Sequence, residues 1–454
     1  MEELPEALDR DALRLKAQLE KECDVVYPML AGNEDEARRV GRVLRDEAVD
    51  LVLMYHATYV DDLMTLALIE ETRGIFPVLL LSQGIPGVPE KFTPIEAGRC
   101  WGVNSAVQLP GSFRRLGEGL RFGLVFGSMD DDDVISEITR YAKAAGSVKA
   151  VRRMKVGVLP HRSAGVPMFD TYPDEARLIG QTGIRITYLY VEQLLDLMKQ
   201  VSEPSVKQLM DSLYESCDVI EPSREEVALA ARQAIALERL VEATGIDALA
   251  IDMFPGLTPM CGMIPAVGMD RLIDQGVVVS SEGDLAVAVT GLIIRELCGR
   301  PVQFWEHSMF DVDKNWLLGG HEGGSAGFST AKTGTRPRLR STQYINFGKT
   351  PGAPYNGVVP EFITKPGPVT LATLFKGTPG YEMRLARGTS VDTHAREAHY
   401  EHTIFKPNIP LGDYFHRIAA LGTCHHFALV HEDIWSEMCK VAEILGMRLE
   451  VLTD

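Results

Sequence analysis

Residues 276–298 read GVVVSSEGDLAVAVTGLIIRELC. A valine-rich run at 276–280 has the character of a buried strand. It passes through Ser-Glu-Gly-Asp straight into an apolar helix at 285–298. A strand that turns into a helix is half of a βαβ unit, and ligands of open α/β sheets gather beyond the carboxyl ends of the strands. Glu282, at the turn, is therefore a candidate site residue as well as a marker of fold.

Towards the N-terminus the same grammar repeats. A strand is expected at 248–253, after a long helix at 224–245, and helices at 191–200 and 174–180. A basic stretch at 149–155 leads into a strand at 156–159. The first 150 residues alternate again: a short apolar run at 23–27, a helix at 34–47, a strand at 50–55 (DLVLMY), a helix at 61–71 and a strand at 76–81 (FPVLLL). Such alternation predicts parallel sheets. His56, Ser82, Gln83, Asn104 and Gln108 are read as polar groups at strand ends of this first region.

Beyond residue 300 the pattern changes. Short β-type runs at 344–347, 369–375, 381–386 and 427–430 are punctuated by Gly and Pro, and no long helix is expected before one at 433–446. The predicted fold class is two parallel-sheet α/β domains, 1–150 and 151–300, followed by a mostly antiparallel β domain with a closing helix, 301–454.

Bulk properties exclude several classes. A chain of 454 residues needs more than one core. A formal net charge of -17 argues against nucleic acid as a partner. No stretch approaches the roughly 20 apolar residues of a membrane helix, and the charged N-terminus is no signal peptide. Seven scattered cysteines, with no CxxC, fit reduced thiols in a cytoplasmic protein.

Four segments carry chemistry: SSEGD at 280–284, WEH at 305–307, LGGHEGG at 318–324 and GTCHHFALV at 422–430. Each alone has an ordinary reading, as a helix-start charge, a salt-bridge partner or a loop histidine. Together, Glu282, Glu306, His321 and His426 form a mixed oxygen and nitrogen set that suits Mn²⁺, Co²⁺ or Mg²⁺ rather than a thiolate zinc site. Vicinal side chains on a strand point to opposite faces, so only one of His425 and His426 is expected to face a given pocket. Cys424 is expected to be a small buried residue.

With these motifs in order, the sequence resembles the L-arabinose isomerases and, more distantly, the L-fucose isomerases, over most of 151–454. The resemblance implies an intramolecular oxidoreductase, an aldose–ketose isomerase. It implies one divalent ion, usually manganese, on Glu282, Glu306, His321 and His426, with Glu282 and Glu306 also acting as acid and base. It implies a homo-oligomer, a hexamer or smaller symmetric ring, in which the first domain of an adjacent subunit covers the site. Departures concern the sugar pocket. The family chain begins with a strand that supplies a polar substrate contact, and this chain is expected to begin after it, in a helix; the family's Asn-Gln-Thr-Ala-His segment stands here as Asn104-Ser105-Ala106-Val107-Gln108, and HRSAGVPMFD at 161–170 leans to the fucose type.

Isomerisation moves a proton between C1 and C2. A positioned carboxylate that takes and returns it contributes roughly 10²–10⁴-fold, and a cation on O1 and O2 stabilises the enediol. Further substrate contacts are expected from His425, Phe254, Gln83, Asn104, Gln108, His161 and Arg162, on a pentose, a hexose or a deoxy or acidic sugar. His161, Arg162 and Arg114 would meet an acidic group. Competing readings are an epimerase or hydrolase on the same metal scaffold, or a non-catalytic sugar-binding relative.

Overall fold

The computed structural model describes residues 3–116, 121–160, 168–219, 221–253, 257–322, 326–341, 357–393 and 400–454. The chain divides into two compact units, Met1–Lys149 with Cys439–Gly446, and Ala150–Met438 with Met447–Asp454.

The first unit holds a parallel sheet of β1 (Leu51–Tyr55), β2 (Phe76–Leu81) and β3 (Gly123–Phe126), in that order. The central strand is apolar on both faces, as a covered parallel strand must be. Val78 and Leu80 pack with Leu15, Val125 and Ile138, while Leu79 packs with Leu44, Met54 and Phe113 on the other side. Helices start on polar caps: the Asn33 and Asp61 side chains accept from Glu36 N and Met64 N. Residues 23–27 form no strand, although Val25 packs against the core. Asn104 and Gln108 lie within the helix Gly102–Leu116 and not at a strand end.

The second unit opens with β4 (Lys155–Leu159), β5 (Arg185–Tyr188), a two-residue β6 (Asp218–Val219), β7 (Ala248–Ile251) and β8 (Val278–Ser281). Four of them form a parallel sheet in the order β5-β4-β7-β8. The helix Arg224–Thr244 covers it, set by a Ser223–Glu226 capping box and stopped by left-handed Gly245.

The strands that follow are β9 (Gln303–Asp311), β10 (Trp316–Glu322), β11 (Arg338–Ser341), β12 (Val358–Glu361), β13 (Gly367–Lys376), β14 (Tyr381–Ser390), β15 (Tyr400–Pro407), β16 (His426–Val430) and β17 (Leu449–Val451). Six of them pair antiparallel in the order β13-β16-β9-β10-β15-β14, and β13 pairs with β14 to close the ring. Trp305, Leu317, Leu371, Ala386, Phe405 and Phe427, one from each strand, share a core inside it. Parallel α/β sheets followed by antiparallel β structure is the architecture expected from the sequence.

The stretch after 300 also holds a helix that sequence reading overlooked, Leu411–Leu421. Leu411, Tyr414, Ile418 and Leu421 fall at helical spacing and pack on the ring's core. Pro410 and Gly422, taken as loop punctuation, are its start and stop.

The helix Leu285–Cys298 joins the two halves of this unit. It is buried nearly all round, and packs on β4, β7 and β8 and on β13 and β16. That is why it lacks a polar face. All seven cysteines are free thiols. Among the described residues, no helix is long and apolar enough to cross a membrane.

Candidate active site

Strand register gathers the first side chains. Glu306 on β9 lies opposite His426 on β16 and opposite Gly320 on β10, one residue before His321. Residues facing one another across antiparallel strands project to the same side. Trp305 and His307, the alternate residues of β9, turn the other way, where Trp305 joins the ring's core and His307 Nε2 lies 3.0 Å from the Tyr414 hydroxyl. Gly319 has a packing reason: a Cβ there would meet Glu306 O at 2.3 Å and the Trp305 ring. The Phe304 ring lies 4.9 Å from that of His321 and 4.6 Å from that of His426, an apolar wall behind both.

Glu282 arrives from the parallel sheet. β8 ends at Ser281, and Glu282 and Gly283 both take left-handed backbone, with φ of 55° and 66°. For an L-residue this conformation costs about 1–2 kcal/mol, and the surrounding bonds hold it. Gly283 N donates to Ile251 O and Asp284 N to Ser281 O, both at 3.1 Å. The turn carries the Glu282 carboxylate to the outward face of the ring. Its Oε1 lies 3.7 Å from His321 Nε2 and its Oε2 3.4 Å from His426 Nε2, while Glu306 Oε2 is 3.8 Å from the same His426 nitrogen.

Both histidines of the 425–426 pair are held by aspartates that sequence reading did not single out. His426 Nδ1 donates to Asp284 Oδ2 at 3.0 Å, and Asp284 Oδ1 accepts from Ala286 N and Val287 N at the helix start. His425 Nδ1 and N both donate to Asp170 Oδ2, at 2.6 and 3.0 Å. The expectation that only one of the pair could face a pocket is overturned. His425 precedes β16, so strand alternation does not apply to it. The two rings are 3.9 Å apart, and Glu282, His425 and His426 each offer a ligand atom within 4.8 Å of the others.

The electrostatics follow. Burial opposes ionisation of Glu282, but His321 and His426 outweigh it and hold its carboxyl well below the usual carboxylate range. Burial likewise opposes a charge on His426, and Asp284 and Glu282 outweigh it, raising its pKa to about 9. For Asp170, burial is overcome by His425, and the carboxyl falls to about 2. Cys424 is buried, its thiol pushed up to about 12 mainly by desolvation, and bonded to the His426 carbonyl, so it is no ready ligand.

A cation fits this donor set. Glu282 Oε2 and His426 Nε2 are buried without a hydrogen-bond partner. With Nδ1 committed to Asp284, His426 Nε2 presents a lone pair among carboxylate oxygens, which attracts a proton or a metal ion. The contacts of 3.4–3.8 Å are too long for hydrogen bonds and resemble the spacing of donors around one shared ion, each roughly 2.1 Å from it.

Of the other expected contacts, Gln83, Asn104 and Gln108 belong to the first unit. There Gln83 Nε2 donates to Gly87 O, Gln108 accepts from the Tyr59 hydroxyl, and Asn104 is exposed. His161, Arg162 and Phe254 lie outside the described residues.

The pattern of the L-arabinose isomerase central domain matches residues 173–298. Over 412 residues the chain is 21% identical to the sulfoquinovose isomerase of Priestia megaterium, covering 90% of this chain and 86% of that protein. Sulfoquinovose isomerases of Alkalicoccus urumqiensis and of a Clostridium species are also 21% identical, over 331 and 361 residues. The chain is similar to the arabinose-isomerase-like sugar isomerases, in its central segment by family pattern and along nine-tenths of its length at 21% identity. That likeness supports an aldose–ketose isomerase, an intramolecular oxidoreductase. The matched segment ends at Cys298, so of the four clustered residues only Glu282 falls inside it.

Proposed function

We propose that this isomerase interconverts sulfoquinovose, a 6-sulfonated glucose, with its 2-ketose by proton transfer through a cis-enediol. One observation supports the chemistry above the rest: Glu282 and Glu306, from two different sheets, approach the same His426 nitrogen at 3.4 and 3.8 Å. Glu282, Glu306, His321 and His426 would hold a divalent ion, Mn²⁺ first among Mn²⁺, Co²⁺ and Mg²⁺. Such an ion supplies Lewis-acid polarisation of the oxygens on C1 and C2. One glutamate takes the C2 proton of the aldose and returns it to C1, and the other moves a proton between O1 and O2. The substrate assignment rests on the activity of relatives whose likeness spans nine-tenths of the chain.

The test is direct. Purified protein is stripped with a chelator, reloaded with Mn²⁺, Co²⁺ or Mg²⁺, and incubated with sulfoquinovose, glucose 6-phosphate, L-arabinose and L-fucose. NMR reads ketose formation, expected fastest with sulfoquinovose and Mn²⁺. Fastest turnover of L-arabinose would overturn the substrate, full activity of metal-free protein the ion, and no ketose from any sugar the reaction.

A further inference from the structure

His425 and Asp170 lie 255 residues apart, and no step proposed above uses them. Asp170 sits in the short turn Phe169–Thr171, which packs against β13. A single oxygen, Asp170 Oδ2, accepts from both the ring Nδ1 and the backbone N of His425, at 2.6 and 3.0 Å. Two bonds to one residue fix both where His425 sits and how its ring is turned. With Nδ1 donating to Asp170, Nε2 is the ring nitrogen left over, and in the neutral imidazole it is an acceptor. A ring nitrogen of His425 lies within 4.8 Å of ligand atoms of Glu282 and His426.

Burial separates the two histidines. The side chain of His426 is 0% exposed and that of His321 3%, as suits ligands of an enclosed ion. Those of His425 and Asp170 are 40% and 35% exposed. The dyad therefore stands on the open side of the centre, where a substrate enters.

We propose that Asp170 is a positioning residue for the isomerase, holding His425 so that its Nε2 accepts a hydrogen bond from a hydroxyl of the bound sugar. This rests on the isomerase reading above. The hydroxyl keeps its proton, and no bond is made or broken. Asp170 thus ties the 168–172 segment to the reaction centre.

The experiment compares Asp170→Ala, Asp170→Asn and His425→Gln with wild type in kcat and KM on sulfoquinovose, and in Mn²⁺ affinity of the metal-free proteins by calorimetry. Thermal melts check the fold. Asp170→Ala is expected to lose roughly 10–100-fold in kcat/KM, the range seen when a histidine loses its orienting partner, with a raised KM. Mn²⁺ affinity should stay within about twofold of wild type, inside ordinary surface-substitution effects. Asp170→Asn, whose amide oxygen still accepts both bonds, should recover most of the loss. An active wild type with unchanged kcat/KM in Asp170→Ala overturns the proposal. So does a Mn²⁺ affinity that falls in step with turnover, which would make His425 a metal ligand. A wild type that turns over no sugar overturns the isomerase reading itself, a different result from either.

Discussion

Asp284 and His426, 142 residues apart, meet in a buried 3.0 Å hydrogen bond from His426 Nδ1 to Asp284 Oδ2. The other oxygen of the same carboxylate caps the helix that joins the parallel sheet to the β ring. The bond sets the tautomer of His426, leaving Nε2 as the nitrogen that faces Glu282 and Glu306. Two substitutions separate the roles. Asp284→Ala should cost about 1 kcal/mol for the cap and weaken Mn²⁺ binding roughly 10–100-fold. Asp284→Asn keeps an oxygen for the cap but turns an NH₂ towards His426, so stability should mostly survive and Mn²⁺ affinity should not. Melts and calorimetry read the two. Wild-type affinity in Asp284→Asn would show that the bond does not orient the histidine.

Removing a candidate ligand should separate binding from chemistry. His321→Ala and His426→Ala are expected to lose activity mainly with the ion, so excess Mn²⁺ restores part of the rate. Glu282→Gln and Glu306→Gln should stay at least 10²-fold down even when calorimetry shows the site loaded, the usual lower bound for a lost acid or base. Near wild-type turnover by either loaded variant would remove that glutamate from the proton-transfer pathway.

Part of the candidate site and much of the fold were legible in the sequence because their determinants are local. A strand running into Ser-Glu-Gly-Asp places Glu282 at a strand end whatever lies elsewhere, and apolar runs such as FPVLLL set β2 from 76 to 81. The long-range partners carried no local mark. Asp170 reads as an unremarkable residue at the end of HRSAGVPMFD until the fold brings it to His425. Asp284 reads as a helix cap, which it is, and its second oxygen matters only because β16 passes beside it. The misplacement of His425 came from applying strand alternation one residue before β16 begins. The helix Leu411–Leu421 was missed because its flanking Pro and Gly were weighed above its apolar spacing.

If proton transfer runs through solvent-exchangeable carboxyls, isomerisation in D₂O should place deuterium on C1 of the ketose formed from the aldose. Mass spectrometry and NMR measure it at low conversion. Complete absence of label under slow turnover would favour a hydride shift, in which Glu282 and Glu306 would serve only to hold the ion.

Acid should destabilise the first unit through His56. This side chain is buried, its Nδ1 lacks a hydrogen-bond partner, and desolvation lowers its pKa to about 4. The unfolded chain takes up the proton near pH 6.5, the folded chain only near 4, so between these values the unfolded state binds more protons. Stability is therefore full above about pH 6.5 and declines as pH falls towards 4, by up to roughly 3 kcal/mol from this group. Urea midpoints at pH 7.5 and 5 should differ less in His56→Gln than in wild type. An equal difference in both proteins would assign the acid sensitivity to other groups.

We further propose that the working form is a homo-oligomer in which the first unit of one subunit covers the site of another. On the helix Gly102–Leu116, Asn104 is exposed beside Val103 and Val107, 40% and 70% exposed, and nearby Tyr59, bonded to Gln108, is 50% exposed. Apolar side chains mixed with amide groups on an open surface suit a contact with protein and sugar together. The clustered ligands all lie in the other unit, so complementation can test sharing. Gln83→Ala/Asn104→Ala in one chain and Glu306→Gln in another should each be inactive. Unfolded together and reassembled, they should form hybrids in which some sites draw a sound first unit from one chain and sound ligands from the other. In dimers with two sites, random mixing makes half of the assemblies hybrid, and a hybrid has at most one intact site, so recovery should reach no more than about a quarter of wild-type activity, by the closed symmetry usual for such assemblies. Mass spectrometry verifies the hybrids. Hybrids without activity would mean that each site is complete within its own chain, and the exposed face of the first unit would then need another partner.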